Sequence, residues 1–320
     1  MLLTILFHNT RTDTIYDISN IVSSANISTK AEEQPSSVTL DVVNRDKMEF
    51  PSGSVLSVKS GQTPLFLGYL FKQEGDEEGK LTLTFYDQLK YLQYKDTLAL
   101  GNKTLGDLFS QICTYKELKH RVVNNVPYNL PVTLYENKTL YDMLKDMIDN
   151  VYATQGKKFI VWDNFGVLEL RDVMNLRQNL FFGDGSMLLS YSYGQSIDDE
   201  VYNIVKIMRE NSETKKFEEV VEMDKTTIRY WGQLQHFAKV DENVGDLRTH
   251  AKNLLKVHNR EERTLTLECM GDLRVRAGVG IIVELDALKK TYGGARYYMV
   301  EECTHNIEDK HTMTLKLAVM

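Results

Sequence analysis

The side chains of this sequence that could do chemistry are few and scattered. His305 and His311 flank Asn306 to Lys310 and could meet across a hairpin to hold a metal. A zinc site needs three or four protein ligands, so a lone pair reads more simply as two surface histidines. Asp198-Asp199-Glu200 offers the paired carboxylates that glycoside hydrolysis uses. Three consecutive acids also describe a solvated turn or a charged rim. Gly278-Val279-Gly280 begins like a dinucleotide fingerprint but lacks the third glycine. The following Ile281-Ile282-Val283-Glu284-Leu285 has strand character, so a turn entering a strand fits better than a strand-to-helix junction. His250 and His258 stand eight residues apart on a predicted helix, too far for a common site, and His120 beside Lys119 and Arg121 makes a solvated basic spot. Cys113, next to Ile112 on an apolar helical face, reads as a small core residue. The zinc-protease helix, the Cys-x-x-Cys pair, the Walker loop and the nucleophile elbow are all missing. No catalytic, cofactor-binding or metal residue is assigned, no cofactor is expected, and the chain does not read as an enzyme.

Composition narrows the class. Among 320 residues, 38 Lys and Arg against 45 Asp and Glu give a net charge of −7, which disfavours stable nucleic-acid binding. Hydrophobic residues at 42% and charged residues at 26% describe an ordered globular chain. Five Pro beside seventeen Tyr and twelve Phe suit long strands. No apolar run reaches the length of a transmembrane helix, and Met1 to His8 lacks the basic start of a signal peptide, so direct membrane insertion is not expected. Three widely spaced cysteines (Cys113, Cys269, Cys303) argue against a disulfide framework and fit synthesis in a reducing compartment.

Three zones must position these residues. Residues 1–95 read as strands, with hairpins at 2–18 and at 65–86, the second tipped by Gly75-Asp76-Glu77-Glu78-Gly79. Residues 96–178 change period. Asn102-Lys103-Thr104-Leu105 and Asn137-Lys138-Thr139-Leu140 each open a helix, with Asp107 and Asp142 completing capping boxes. A hairpin follows around Asp163-Asn164-Phe165-Gly166. Residues 179–320 return to strands, interrupted by one helix at about 242–258.

The outer zones repeat each other. An offset of 225 carries Thr39-Leu40 onto Thr264-Leu265, Gly53 onto Gly278, Leu56 onto Ile281 and Val58 onto Val283. Tyr69 then meets Tyr298 at an offset of 229, and Thr82 to Phe85 meets Thr312 to Leu315 at 230. The hairpin at 2–18 loosely matches 203–223. The predicted architecture is mainly β with an α+β insertion: 1–95 a first tube-like antiparallel β-barrel, 96–178 the insertion, 179–320 a second barrel related to the first by duplication.

The order of these phrases resembles a family. A β half is followed by two Asn-Lys-Thr-Leu helices and by Gly156 to Trp162. Ser196-Ile197-Asp198-Asp199 then leads into Val205-Lys206, and Gly271 to Gly278 comes near the end. Phe66 to Leu70 and Leu83 to Asp87 resemble the first barrel of the same proteins. They are the baseplate hub proteins of contractile phage tails and phage-tail-like bacteriocins, the PBSX-type hubs. The resemblance implies a homotrimer, synthesised in the bacterial cytoplasm and built into a phage tail or bacteriocin baseplate, whose six similar barrels join the sixfold tail tube to a threefold central spike, next to tape-measure and baseplate wedge proteins. On that reading open barrel edges pair between neighbours, and the tips Gly75–Gly79 and Lys289, Lys290, Gly293 and Gly294, placed as counterparts, contact axial neighbours. The net −7 suits a channel that cargo passes without sticking. A wall-degrading, glycoside hydrolase-like tail protein using Asp198 to Glu200 is the alternative. A receptor-binding tail protein is a third reading, against which the lack of fibrous repeats weighs.

Overall fold

A computed structural model describes residues 3–32, 34–44, 48–198, 200–210, 215–240 and 246–319. The chain forms two compact units, Met1–Ser192 with Thr266–Met320, and Tyr193–Leu265. This grouping differs from the three zones of sequence, because strands from both ends of the chain share one sheet.

The first unit opens with β1 (Leu3–Asn9), β2 (Thr14–Asp17), β3 (Val22–Lys30), β4 (Ser37–Val43), β5 (Val55–Ser60), β6 (Thr63–Gly75) and β7 (Lys80–Tyr86). An α/β stretch follows: β8 (Lys95–Leu100), α1 (Leu105–Tyr115), β9 (His120–Val122), β10 (Thr133–Thr139), α2 (Leu140–Gln155), β11 (Phe159–Asp163) and β12 (Leu168–Asp172). After β13 (Arg177–Gly183), the chain leaves along β14 (Leu188–Ser196). The second unit holds β15 (Ile204–Glu210), β16 (Phe217–Met223), α3 (Lys225–Trp231), β17 (Gln235–Val240) and α4 (Leu247–His258). The chain returns along β18 (Glu262–Met270) and ends with β19 (Gly280–Glu284), the short α5 (Lys289–Tyr292), β20 (Arg296–Ile307) and β21 (His311–Val319).

Thirteen strands form one sheet, ordered β14-β18-β21-β20-β3-β4-β7-β6-β5-β1-β2, with β19 and β13 branching from β20. Two runs in it have the same order: β3-β4-β7-β6-β5-β1 and β14-β18-β21-β20-β19-β13. Each carries a bulge at the same place, between Leu70 and Lys72 on β6 and between Val300 and Glu302 on β20. The bulges set β6 against β20 at an offset of 230, one residue beyond the Tyr69–Tyr298 match expected from sequence. A one-residue slip exchanges the two faces of a strand, and it is Gly68, buried like Tyr298, that shares its face. The runs differ at their ends: β1 pairs β5 antiparallel, whereas β13 pairs β19 parallel. The hairpin at 203–223 is therefore no counterpart of 2–18; its strands lie in the separate sheet β16-β15-β17 of the second unit. The large sheet runs open from β14 to β2, so the two barrels expected from sequence stand as two runs of one sheet.

Alternation builds the core. Val38, Leu40 and Val42 on β4, Leu83 and Phe85 on β7, and Phe66 and Leu70 on β6 all point inward and are buried. Phe7 and Phe50 add an edge-on ring pair at 4.9 Å. Each such side chain contributes about 1.5–3 kcal/mol on burial. The second run repeats the pattern with Leu265, Leu267 and Cys269 on β18 and Met313, Leu315 and Leu317 on β21.

The helices of the α/β stretch start as their caps dictate. Thr104 accepts a hydrogen bond from the Asp107 N–H while Asp107 answers the Thr104 N–H, and Thr139 accepts from the Asp142 N–H. Gly156, in the left-handed region at φ 67°, ends α2. Leu105, Phe109, Ile112 and Cys113 pack with Leu140, Leu144, Met147 and Val151 in one buried cluster. In the second unit Val205 and Ile207 pack against Leu247 and Ala251. The predicted helix at 242–258 is α4, capped at Asp246, and residues 242–245 lie outside the described residues. α3 is a further helix that periodicity did not announce, since none of its residues is buried.

Candidate assembly edges and a buried charged joint

The strand that unites the two runs is β3. Its residues Ala25 to Lys30 pair antiparallel with Ile307 to Glu302 of β20. Ala25 and Ile27 are buried beneath the joint, and Thr29 adds two bonds of its own, from its hydroxyl to the Cys303 carbonyl (3.3 Å) and from the Ala277 N–H to its hydroxyl (2.9 Å). On the other face small polar groups satisfy each other: Asn26 Nδ2 donates to Asn306 Oδ1 at 2.6 Å and Thr304 Oγ1 to Ser28 Oγ at 3.3 Å. Beside them Asp41 accepts from Ser24 (2.6 Å) and Thr82 (2.8 Å). Sequence reading passed over β3 because Ser23, Ser24, Asn26, Ser28 and Thr29 hide the alternation of Ala25 and Ile27.

A charged cluster ties the three sequence zones together. Asp87, from the end of the first zone, is buried, and its carboxylate accepts from the Ser36 N–H (3.1 Å) and the Leu89 N–H (3.0 Å). Asp163, at the hairpin of the second zone, accepts from Gln88 Nε2 (3.2 Å) and from the Gly166 N–H (2.5 Å). Arg276, from the third zone, lays its guanidinium over the Trp162 ring at 4.3 Å. Burial and the nearby Asp163 charge push Asp87 up to about 7, while the Ser36 hydrogen bonds and the Arg276 charge pull the other way. Burial likewise raises Asp163. Arg276 is lowered by burial against the pull of the two acids. Its Nε–H has no hydrogen-bond partner among the described residues, which leaves it held by charge and by the ring. At the indole N–H of Trp162, the buried Glu169 takes hydrogen bonds from Asn164, Arg121, Trp162 and Arg171, and these outweigh burial to hold it below the usual carboxylate range.

The two histidines do meet, at 3.0 Å between His305 Nδ1 and His311 Nε2. Only His311 reaches the surface, half-buried, whereas His305 is buried. Its Nε2 lies 2.8 Å from the Val275 carbonyl, which can only accept, so Nε2 carries the proton and Nδ1 accepts from His311. Both ring nitrogens of His305 are thus occupied. Burial pushes His305 down to about 4, against the Val275 bond. Among the described residues no three His, Cys, Asp or Glu side chains form a metal-binding group.

The remaining sequence candidates are placed as follows. Asp198 and Glu200 are exposed, and Asp199 lies outside the described residues. Gly278, at φ 90°, turns the chain into β19, where a Cβ would strike Ile160. Cys113 is fully buried. His120 bonds the Leu118 carbonyl (2.9 Å) and packs edge-on against Phe109. The tip Gly75–Gly79 joins β6 to β7. Asp76 accepts from the N–H groups of Glu78 and Lys80, both at 3.0 Å, Glu78 pairs with Lys80 at 2.9 Å, and Glu77 is exposed. Lys289 pairs with Glu284 (3.0 Å) and Asp286 (2.6 Å), and Lys290, Gly293 and Gly294 are exposed. The two tips are not counterparts: 289–294 lies between β19 and β20, and the turn equivalent to Gly75–Gly79 joins β20 to β21 at 308–310.

A family model described as YQBQ-like matches residues 25–318. The chain belongs to the YQBQ-like family. A curated relative of this YQBQ-like chain is the phage-like element PBSX protein XkdQ of Bacillus subtilis (strain 168), 21% identical over 259 residues, which are 78% of this chain and 77% of the relative. Among solved structures, the 43 kDa tail protein of prophage MuSo2 from Shewanella oneidensis superposes with a TM-score of 0.71 at 11% identity, covering 99% of this chain and 98% of that one. The E. coli c3393 protein, a type VI secretion component described as structurally similar to T4 tail proteins gp27 and gp5, superposes with a TM-score of 0.54 at 10% identity, over 93% of this chain and 74% of that one. The YQBQ-like chain therefore has the fold of phage tail proteins, mainly β with antiparallel sheets.

Proposed function

We propose that this chain is the hub of a contractile phage-type baseplate, a homotrimer that adapts the sixfold tail tube to a threefold central spike. The observation that carries the reading is the repeated strand order within one sheet. Two like runs per chain give six like runs in a trimer, which is what a threefold-to-sixfold adapter needs. The common position of the two bulges and the PBSX relative support the same reading. Residues 96–178 act as an α/β insertion that meets the end of the first zone through Asp163 and Gln88 and the third zone through Trp162 and Arg276. Function then lies in interfaces with tube, spike, tape-measure and wedge proteins in the tail, not in a cleft. The uncharged polar face of Asn26, Ser28, Thr304 and Asn306, whose side chains bond one another in pairs, supports a lumen lining that offers passing cargo little to hold.

Light scattering on the purified full chain tests this. A trimer is expected. A strict monomer that hydrolyses peptidoglycan would replace the hub with the wall-degrading reading.

A further inference from the structure

The sheet contains one joint between its two runs, and its geometry says where the next joint belongs. β20 has two edges. One pairs β21 along its length. The other pairs β19 at 296–299 and then β3 at 302–307. β6 is built the same way up to its bulge: one edge pairs β7, and the other pairs β5 as far as Tyr69. Beyond the bulge, where β20 receives β3, β6 has no strand on that edge among the described residues. Lys72, Gln73, Glu74 and Gly75 are exposed, whereas their counterparts on β20 include the buried Cys303 and His305.

The backbone groups of this segment are set for a partner. The Asp76 N–H donates to the Lys80 carbonyl at 3.1 Å, towards β7. Direction alternates along an antiparallel strand, so Gln73 and Gly75 turn their N–H and C=O groups away from β7. The counterpart of Gln73 is Cys303, whose carbonyl turns the same way and accepts from Thr29 of β3. At the opposite end of the sheet, β14 occupies in its run the place that β3 occupies in the other, and it is the terminal strand. Leu189 on it is 56% exposed.

We propose that the Lys72–Gly75 edge of β6 receives β14 of a second copy of this chain, antiparallel, repeating between chains the β20–β3 joint made within one. The occupant follows from the repeat. β3 fills this edge in one run, and β14 is the β3 equivalent that has no second neighbour strand among the described residues. The contact is heterologous, since different surfaces meet, and it closes only as a ring. Open edges of this kind are aggregation hazards unless a partner covers them. The proposal rests on the hub reading and gives it a residue-level interface.

The test joins Glu74→Cys and Gln195→Cys in one full-length chain, treated with a short thiol cross-linker whose reach tolerates a one-residue difference in register. The three native cysteines are buried. Gln73→Pro serves as the second variant, because it removes an outward N–H and no bond to β7. The expected result is a cross-linked ladder that stops at three chains and needs both cysteines, and loss of the trimer in Gln73→Pro with its thermal transition kept. A trimer that survives Gln73→Pro, or that yields no cross-link between these positions, overturns the pairing and leaves the hub reading standing. A chain that stays monomeric and unlinked overturns both.

Discussion

β20 and β6 hold the same place in the strand orders of the two runs. Each is long, each is bulged at its middle, and each hands one edge to a short strand before the bulge. After the bulge β20 is covered by β3, and its side chains alternate into a core; β6 is uncovered, and four successive residues are exposed. The difference is not one of strand propensity. Gln73-Glu74-Gly75 keeps the sheet register with β7 as faithfully as Cys303-Thr304-His305 does with β21. What separates the two, among the described residues, is the neighbour strand that β20 has on this edge and β6 does not.

Matched truncations should expose the contrast most strongly. Ile27→Ala, under the filled joint, is expected to destabilise the chain by roughly 2–5 kcal/mol, as other buried Ile or Leu truncations do. Gln73→Ala, at the open edge, should stay within about 0.5 kcal/mol. Urea unfolding of the two variants measures both, and equal losses would remove the distinction.

Titration sharpens it further, with opposite signs at two buried groups. His305 stays neutral in the fold down to about 4, among His311, Cys303 and Asp272. The unfolded chain gains its proton near 6.5. Stability is therefore whole above pH 6.5 and falls as pH drops towards 4, by on the order of 3 kcal/mol in the limit. His305→Gln should remove that fall. Asp87 is raised, so its contribution is whole below the unfolded carboxylate pKa of 3.8 and is lost as pH rises through about 7. Asp87→Asn should flatten the slope on that side. Thermal melts from pH 4 to 8 read both slopes.

Smaller effects belong to the insertion and to the tip. Thr104→Ala and Thr139→Ala each remove a helix cap and should cost about 1 kcal/mol, read by urea unfolding. Reversing charge at Glu77 and Glu78 should change stability by no more than about 0.5 kcal/mol. If this tip contacts an axial neighbour, the same reversal weakens co-assembly with the tube, which sedimentation of the mixture measures.

Much of this was legible in the sequence, for physical reasons. Thr-x-x-Asp at 104 and 139 specifies helix starts locally, so both appeared where expected. Strands such as β4 and β7, with strict apolar alternation, were readable, and they carried the repeat. β3 was not, because serine and asparagine occupy its polar face and mask the buried Ala25 and Ile27. Missing β3 meant missing that the two β zones share a sheet, and so reading two separate barrels. The charged joint was equally hidden. Asp163 beside Asn164 and Gly166 looks like a turn, and nothing local tells that Asp87 and Arg276, 189 residues apart, converge on it. The histidine pair was placed correctly across its turn, but its burial depends on Val275, thirty residues away.

The hub reading turns on one number, the symmetry of the assembled chain. Electron-microscopy projections of the purified full-length protein, paired with its mass in solution, measure it directly. The account predicts a ring of three times the 36.9 kDa chain mass with six similar lobes. A twofold dimer, or a trimer with only three lobes around its axis, would contradict it.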